Sequence, residues 1–113
     1  MAARRQAQMR PVDAAIIRLM ALAAKGVQPP RMAREVEAIV AEWLRAPDAD
    51  PFEVKGRVDE LREQIAAGVG DAEEQLSDID TSEPAAVRQA QGTLASLVAT
   101  RDAAQHALTT IRA

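Results

Sequence analysis

The chain has 113 residues, no cysteine and a net charge of −3, and its only aromatic residues are Trp43 and Phe52. The lack of cysteine excludes disulfides, thiol nucleophiles, iron–sulfur clusters and the common zinc sites, and the scarcity of aromatic rings excludes stacking platforms for single-stranded nucleic acid. A core built from Ala, Leu, Ile, Val and Met favours helices over sheets. We therefore expect an all-α fold in one domain, residues 1–113.

No apolar run approaches the ~20 residues that a membrane-spanning helix requires. We therefore expect a cytoplasmic protein that does not enter a membrane.

The N-terminal part is predicted to contain a basic tail, residues 1–10, and two short helices within residues 11–46. Pro11 suits a first helical turn and Gly26 suits a helix end. The second helix should end near Arg45, because its apolar residues follow a helical spacing: Met32, Val36, Ile39, Val40, Trp43 and Leu44.

A third helix should begin at Pro51, with Asp50 as its cap. Its apolar repeat passes in register through Gly68 and Gly70 to Leu76, which predicts one helix of ~28 residues. A glycine inside a helix costs about 1 kcal/mol, so a break between Gly68 and Gly70 is the alternative.

The last helix has the most regular pattern in the chain, and we expect Ser82 to cap it and Pro84 to lie in its first turn. A heptad spacing joins Val87, Ala90, Leu94, Leu97, Arg101, Ala104, Leu108 and Ile111. Two long helices joined by a short turn must lie antiparallel. Residues 51–113 are therefore predicted to form a long, coiled-coil-like antiparallel hairpin with the two shorter N-terminal helices packed against it.

Charge is unevenly distributed, with net values of +4 in residues 1–46, −9 in residues 47–83 and +2 in residues 84–113. Near the predicted hairpin turn lies a group of carboxylates, the acidic patch: Asp71, Glu73, Glu74, Asp78, Asp80 and Glu83. Their spacing does not match a calcium-binding loop. The patch is either a solvated surface or a surface that binds a basic partner.

The basic tail offers Arg4, Arg5 and Arg10 as possible phosphate contacts. Two short helices joined by a glycine-containing turn also suggest a helix-turn-helix. The two prolines in the connection and the acidic residues of the second helix disfavour that comparison. Nucleic acid is therefore the less favoured partner.

Arg101 is the one charged residue in the heptad seam of the last helix. It either pairs with Glu60 or Asp59 across the hairpin and fixes the register, or lies at a solvent-facing edge where its stem covers apolar surface. Trp43 and Phe52 flank the linker, where we expect them to pack the N-terminal helices against the base of the hairpin. An exposed partner-binding role is the alternative.

The sequence contains no recognisable catalytic, metal or cofactor site. His106 lies one turn after Asp102, but a single histidine without cysteine does not make an ordinary zinc site. Gly68 and Gly70 lack the strand and further glycine of a dinucleotide loop. We expect no enzyme activity and no cofactor.

The leading hypothesis is a non-enzymatic helical scaffold, adaptor or assembly component that binds itself or a partner helix. The alternatives are a nucleic-acid-associated regulator that uses the basic N-terminal region, and a small acidic inhibitor that binds a basic partner surface.

Overall fold

The computed structural model describes residues 9–111, which form four helices and no strand. The helices are α1 (Pro11–Ala24), α2 (Pro29–Arg45), α3 (Pro51–Asp78) and α4 (Pro84–Thr110). The predicted all-α class is confirmed, and the predicted helices are present with nearly the predicted ends. Arg4 and Arg5 lie outside the described residues.

Each of the four helices begins with a proline, whose fixed φ and missing N–H suit the first helical position. Asp50 caps α3 as predicted, because its Oδ1 accepts a hydrogen bond of 2.9 Å from the Phe52 N–H. The prediction for α4 was wrong in one detail. Glu83, not Ser82, is the residue before its first turn, and the Ser82 N–H donates to Asp80 Oδ1 at 2.9 Å. Asp80 thus organises the turn that was assigned to Ser82.

Helix α3 continues without a break through Gly68 and Gly70, so the alternative of two shorter helices is wrong. A Cβ atom at Gly68 would lie 3.1 Å from the Cε of Met20 in α1, whereas a Cβ at Gly70 would meet nothing within 4 Å. Gly68 therefore lets α1 approach α3 closely. The packing of α1 explains the first glycine but not the second.

The connection between α1 and α2 is fixed against α4. Gly26 takes a φ of 84°, a conformation that favours glycine, and the chain then turns sharply into α2. The Thr93 hydroxyl donates to the Ala23 carbonyl at 3.4 Å, and the buried Ser96 hydroxyl donates to the Val27 carbonyl. These bonds place the α1–α2 connection beside the middle of α4.

The two long helices, α3 and α4, pack most extensively against each other, α2 lies mainly along α4, and α1 contacts both long helices. Together they form a helical bundle with one continuous core. Fully buried side chains include Leu19, Met32, Val36, Leu61 and Ile65.

The core occupies only part of the long helices. The last buried residue of α3 is Ala72, and the first buried residue of α4 is Ser96. We call residues 10–72 and 93–111 the base, and residues 73–92 the tip. No residue of the tip is buried, so the long helices extend beyond the part that α1 and α2 cover.

Candidate interaction surfaces

The acidic patch lies at the end of α3 and in the connection to α4, and all six of its side chains are exposed. Glu73, Glu74 and Asp78 border one shallow depression with Gly70 and Ser77. None of the ion pairs of residues 9–111 includes a carboxylate of the acidic patch, so these carboxylates have no basic partner within the described residues. Their negative charge can therefore attract a basic partner molecule.

Asp80 is the carboxylate of the patch that accepts a hydrogen bond from the backbone, from the Ser82 N–H. Its hydrogen bonds with Ser82 hold its pKa below the ordinary value, because they stabilise the ionised form. The hydrogen bond from the Ser82 N–H also organises the turn between the long helices. Within residues 9–111, no three His, Cys, Asp or Glu side chains are arranged to hold a metal ion.

A groove between the two long helices, the tip groove, begins at the border of the base and runs into the tip. It is lined by Ala72, Gln75, Ile79, Ala86, Gln89, Ala90 and Thr93. Ile79, Ala86 and Ala90 are half-buried. Their small or apolar side chains form a surface on which another helix can pack closely.

The outward face of α1 is a second apolar surface. Ala14, Ile17, Ala21 and Ala24 are exposed and recur at helical spacing on one side of the helix. Ile17 is 59% exposed, while Leu19 and Ala23 on the opposite side are buried in the core. Arg18 is also exposed on this side, one turn from Ala14 and Ala21, and pairs with Glu35 of α2 at 2.9 Å. Because Asp13 is the only other charged residue of α1, the sequence already indicated that most of its second face is apolar.

Arg10 is the one suggested phosphate contact that the structure describes. Its guanidinium donates to both carboxylate oxygens of Asp13, at 2.9 and 3.0 Å, and also contacts Glu60 at 3.3 Å. The pKa of Arg10 is raised and that of Asp13 is lowered, chiefly by their shared hydrogen bond. Arg10 thus connects the start of α1 to α3, and two carboxylates already surround its charge.

Arg101 is half-buried, and its guanidinium contacts Asp102, the next residue of its own helix, at 3.2 Å. The two carboxylates proposed as its partners bind elsewhere: Glu60 contacts Arg10 and Asp59 contacts Arg62. The ion pairs of the described residues thus include no bond from Arg101 across to α3. The solvent-facing edge is the position that fits these contacts.

Trp43 and Phe52 have different surroundings, although both were expected to pack. Trp43 packs against the core, with the guanidinium of Arg57 at 5.9 Å from the centre of its ring. Phe52 is 73% exposed and borders a groove with Lys55, Gly56, Asp59 and Leu108. The packing prediction is therefore confirmed for Trp43 and wrong for Phe52, which lies exposed in the first turn of α3.

His106 is exposed on α4 at the edge of a groove between α2 and α4. The groove is lined mainly by apolar or small side chains, including Val40, Leu44, Ala103 and Ala107. Glu37 is the only carboxylate that borders it. His106 is therefore a surface residue beside a largely apolar groove.

None of the described helices is both long enough and apolar enough to span a membrane. Comparison of the chain with protein-family models, curated proteins and solved structures finds no match.

Proposed function

We propose that the protein is a non-enzymatic helical interaction protein, a small scaffold, adaptor or assembly component that associates with itself. The outward face of α1 is the observation that supports this proposal. Apolar residues that stay exposed along one side of a helix are typical of an interaction surface, and Ala14, Ile17, Ala21 and Ala24 are exposed along α1 within one copy of this chain. A second copy supplies an equivalent apolar face.

The spacing of the α1 residues suits a two-fold arrangement, in which the same surface of each copy meets the other. In an antiparallel pairing of two α1 helices, Ile17 of each copy packs against Ala21 of the other, and Ala14 packs against Ala24. The alanines let the two helices approach closely, and Ile17 fills the space beside them. The interface therefore contains two equivalent isoleucine contacts.

In this proposal α3 and α4 form the antiparallel, coiled-coil-like hairpin expected from the heptad pattern. Two grooves support this arrangement. Phe52 and Leu108 share one groove, at the start of α3 and the end of α4, while Ile79 and Ala86 share the other, at the opposite ends. In a dimer formed through α1, each hairpin then projects its tip away from the base.

Light scattering across a concentration series tests the proposal, with Ile17→Glu as the test variant and Phe52→Glu as the matched control. Both positions carry exposed apolar side chains in the base, so both substitutions should leave the fold intact. We expect the wild type and Phe52→Glu to dimerise, and Ile17→Glu to remain monomeric because a carboxylate would be buried at the contact.

Two outcomes would contradict this assignment. A wild-type chain that stays monomeric up to about 1 mM would show that self-association is weaker than roughly −4 kcal/mol. A dimer that dissociates with Phe52→Glu and persists with Ile17→Glu would place the interface at the start of α3 instead.

A further inference from the structure

The tip groove continues the surface on which α1 and α2 pack. Thr93 is shared by the groove and by this packing surface. Its hydroxyl donates to the Ala23 carbonyl at the end of α1, and its side chain also lines the groove. Ala72, the last buried residue of α3, lines the groove as well. The groove therefore begins where the α1–α2 connection stops covering the long helices.

The lining of the groove is suited to a helix. Its alanines, Ala72, Ala86 and Ala90, are small enough for another backbone to approach, and Ile79 supplies an apolar contact at the far end. Gln75 and Gln89 are exposed and offer amide groups at the edges. An apolar helical face with one or two larger side chains fits such a groove by ordinary helix packing.

The negative charge of the tip determines which kind of partner helix could bind in the groove. The tip contains five acidic residues and one basic residue, Arg88, and all of them are exposed. The tip of a second copy would bring the same net negative charge and be repelled. A helix with lysines and arginines beside its apolar face would instead be attracted to the carboxylates at the end of α3 and in the connection.

We propose that the tip groove binds a basic amphipathic helix of a different protein, with the apolar face of that helix on Ala86 and Ala90 and its basic residues beside the acidic patch. This inference rests on the proposed role as an interaction protein, but it concerns a surface separate from the outward face of α1. The two ends of the molecule would then have different tasks: α1 joins copies, and the tip binds the partner.

The experiment measures binding of a fluorescent synthetic peptide by anisotropy, with full-length Ile17→Glu protein as the background so that self-association does not contribute. The peptide has about 18 residues, or five helical turns, with Leu and Ala on one face and Lys on the other. A scrambled peptide of the same composition keeps the charge without the apolar face. A third peptide, with Glu in place of Lys, keeps the apolar face with the opposite charge.

Two adjacent alanines provide matched variants in the protein. Ala86 lines the groove and is half-buried, whereas Ala85 is exposed and does not line it. We expect Ala86→Gln to weaken binding of the basic amphipathic peptide about tenfold, because its longer polar side chain blocks the groove. Ala85→Gln should change the affinity by less than about twofold. Ile79→Ser, which lies outside the helices, is a second groove variant with little effect on helix formation.

The expected pattern also includes weak binding of both control peptides and weaker binding of the basic peptide at high salt, because exposed charges are screened. Equal binding of the basic and scrambled peptides would overturn the proposal, since the acidic patch would then attract any cation. Equal effects of Ala85→Gln and Ala86→Gln, or no binding of the basic peptide, would also overturn it. None of these results would affect dimerisation through Ile17, so the two proposals fail independently.

Discussion

The base and the tip belong to the same two helices but differ in what holds them. In the base, α1 and α2 cover the long helices, and side chains such as Leu61 and Ile65 are completely buried. In the tip, α3 and α4 have only each other, and Leu76, Ile79 and Val87 are half-buried at most. Burial of apolar area is the main favourable contribution to folding. The same helices are therefore stabilised strongly at one end and weakly at the other.

Truncating one leucine in each region compares the stability of the base and the tip directly, and it should give the largest difference. Leu61→Ala should destabilise the protein by about 2–5 kcal/mol, the range for leucine truncations in a packed core. Leu76→Ala should cost about 1 kcal/mol or less, because Leu76 already contacts solvent. Urea denaturation of the two variants and the wild type measures both values.

Hydrogen exchange at single amides sharpens the same prediction. Amides of the tip should exchange through local openings, and amides near Leu61 only through global unfolding. Equal costs for the two truncations, together with equal protection, would mean that the tip is as tightly held as the base.

A pair of glycines at the border between the regions should give a smaller effect. Gly70→Ala should stabilise the protein by about 0.5–1 kcal/mol, because alanine is the better helix former and the added methyl group meets open space. Gly68→Ala should lose most or all of this gain, because its methyl group would press on Met20. Thermal unfolding of the two variants measures the difference.

The double variant of Gly68→Ala with Met20→Ala serves as the control for this pair. The effects of the two substitutions on stability should be additive only if the Met20 side chain does not obstruct the methyl group added by Gly68→Ala. Equal stabilisation by both single variants would indicate that α1 lies farther from α3 than the structure shows.

The smallest expected effect concerns pH. The pKa of Asp13 in the base is lowered chiefly by its hydrogen bond with Arg10, and that of Asp80 in the tip by its hydrogen bonds with Ser82. A lowered pKa contributes stability above the ordinary value of about 3.9, and this stability is lost as the pH falls through the folded-state value. Both groups are exposed, so the loss should be small.

NMR titration of the two carboxyl groups checks this prediction. Arg10→Gln should raise the pKa of Asp13 and leave that of Asp80 unchanged. Ser82→Ala should raise the pKa of Asp80 without affecting Asp13. A change at both sites from either substitution would show that the two regions are coupled.

Local chemistry made the helix ends predictable. Pro11, Pro51 and Pro84 suit first turns whatever lies nearby, and the Asp50 cap needs only its own backbone. Ser82 was assigned wrongly because Asp80, two residues earlier, competes for the same turn. Several side chains with capping ability in one short connection leave the sequence ambiguous.

Contacts between distant segments were harder to predict. Gly68 seemed a possible helix break because Met20, the residue that requires close approach there, lies 48 positions earlier. The exposure of Phe52 depends on how α3 starts relative to α4, which apolar spacing does not specify. The acidic patch could be identified from the sequence. The tip groove could not, because predicting it requires knowing where the α1–α2 connection packs.

The position of the α1–α2 connection also makes the length of the tip adjustable. Its bonds to Thr93 and Ser96 mark the last place where the N-terminal helices hold the long ones. Seven residues added to α3 and seven to α4, at matched positions in the tip, would lengthen the projection by about 10 Å and keep the same faces aligned. Such insertions leave every core residue in place. The tip can therefore vary in length without any change in the packing of the base.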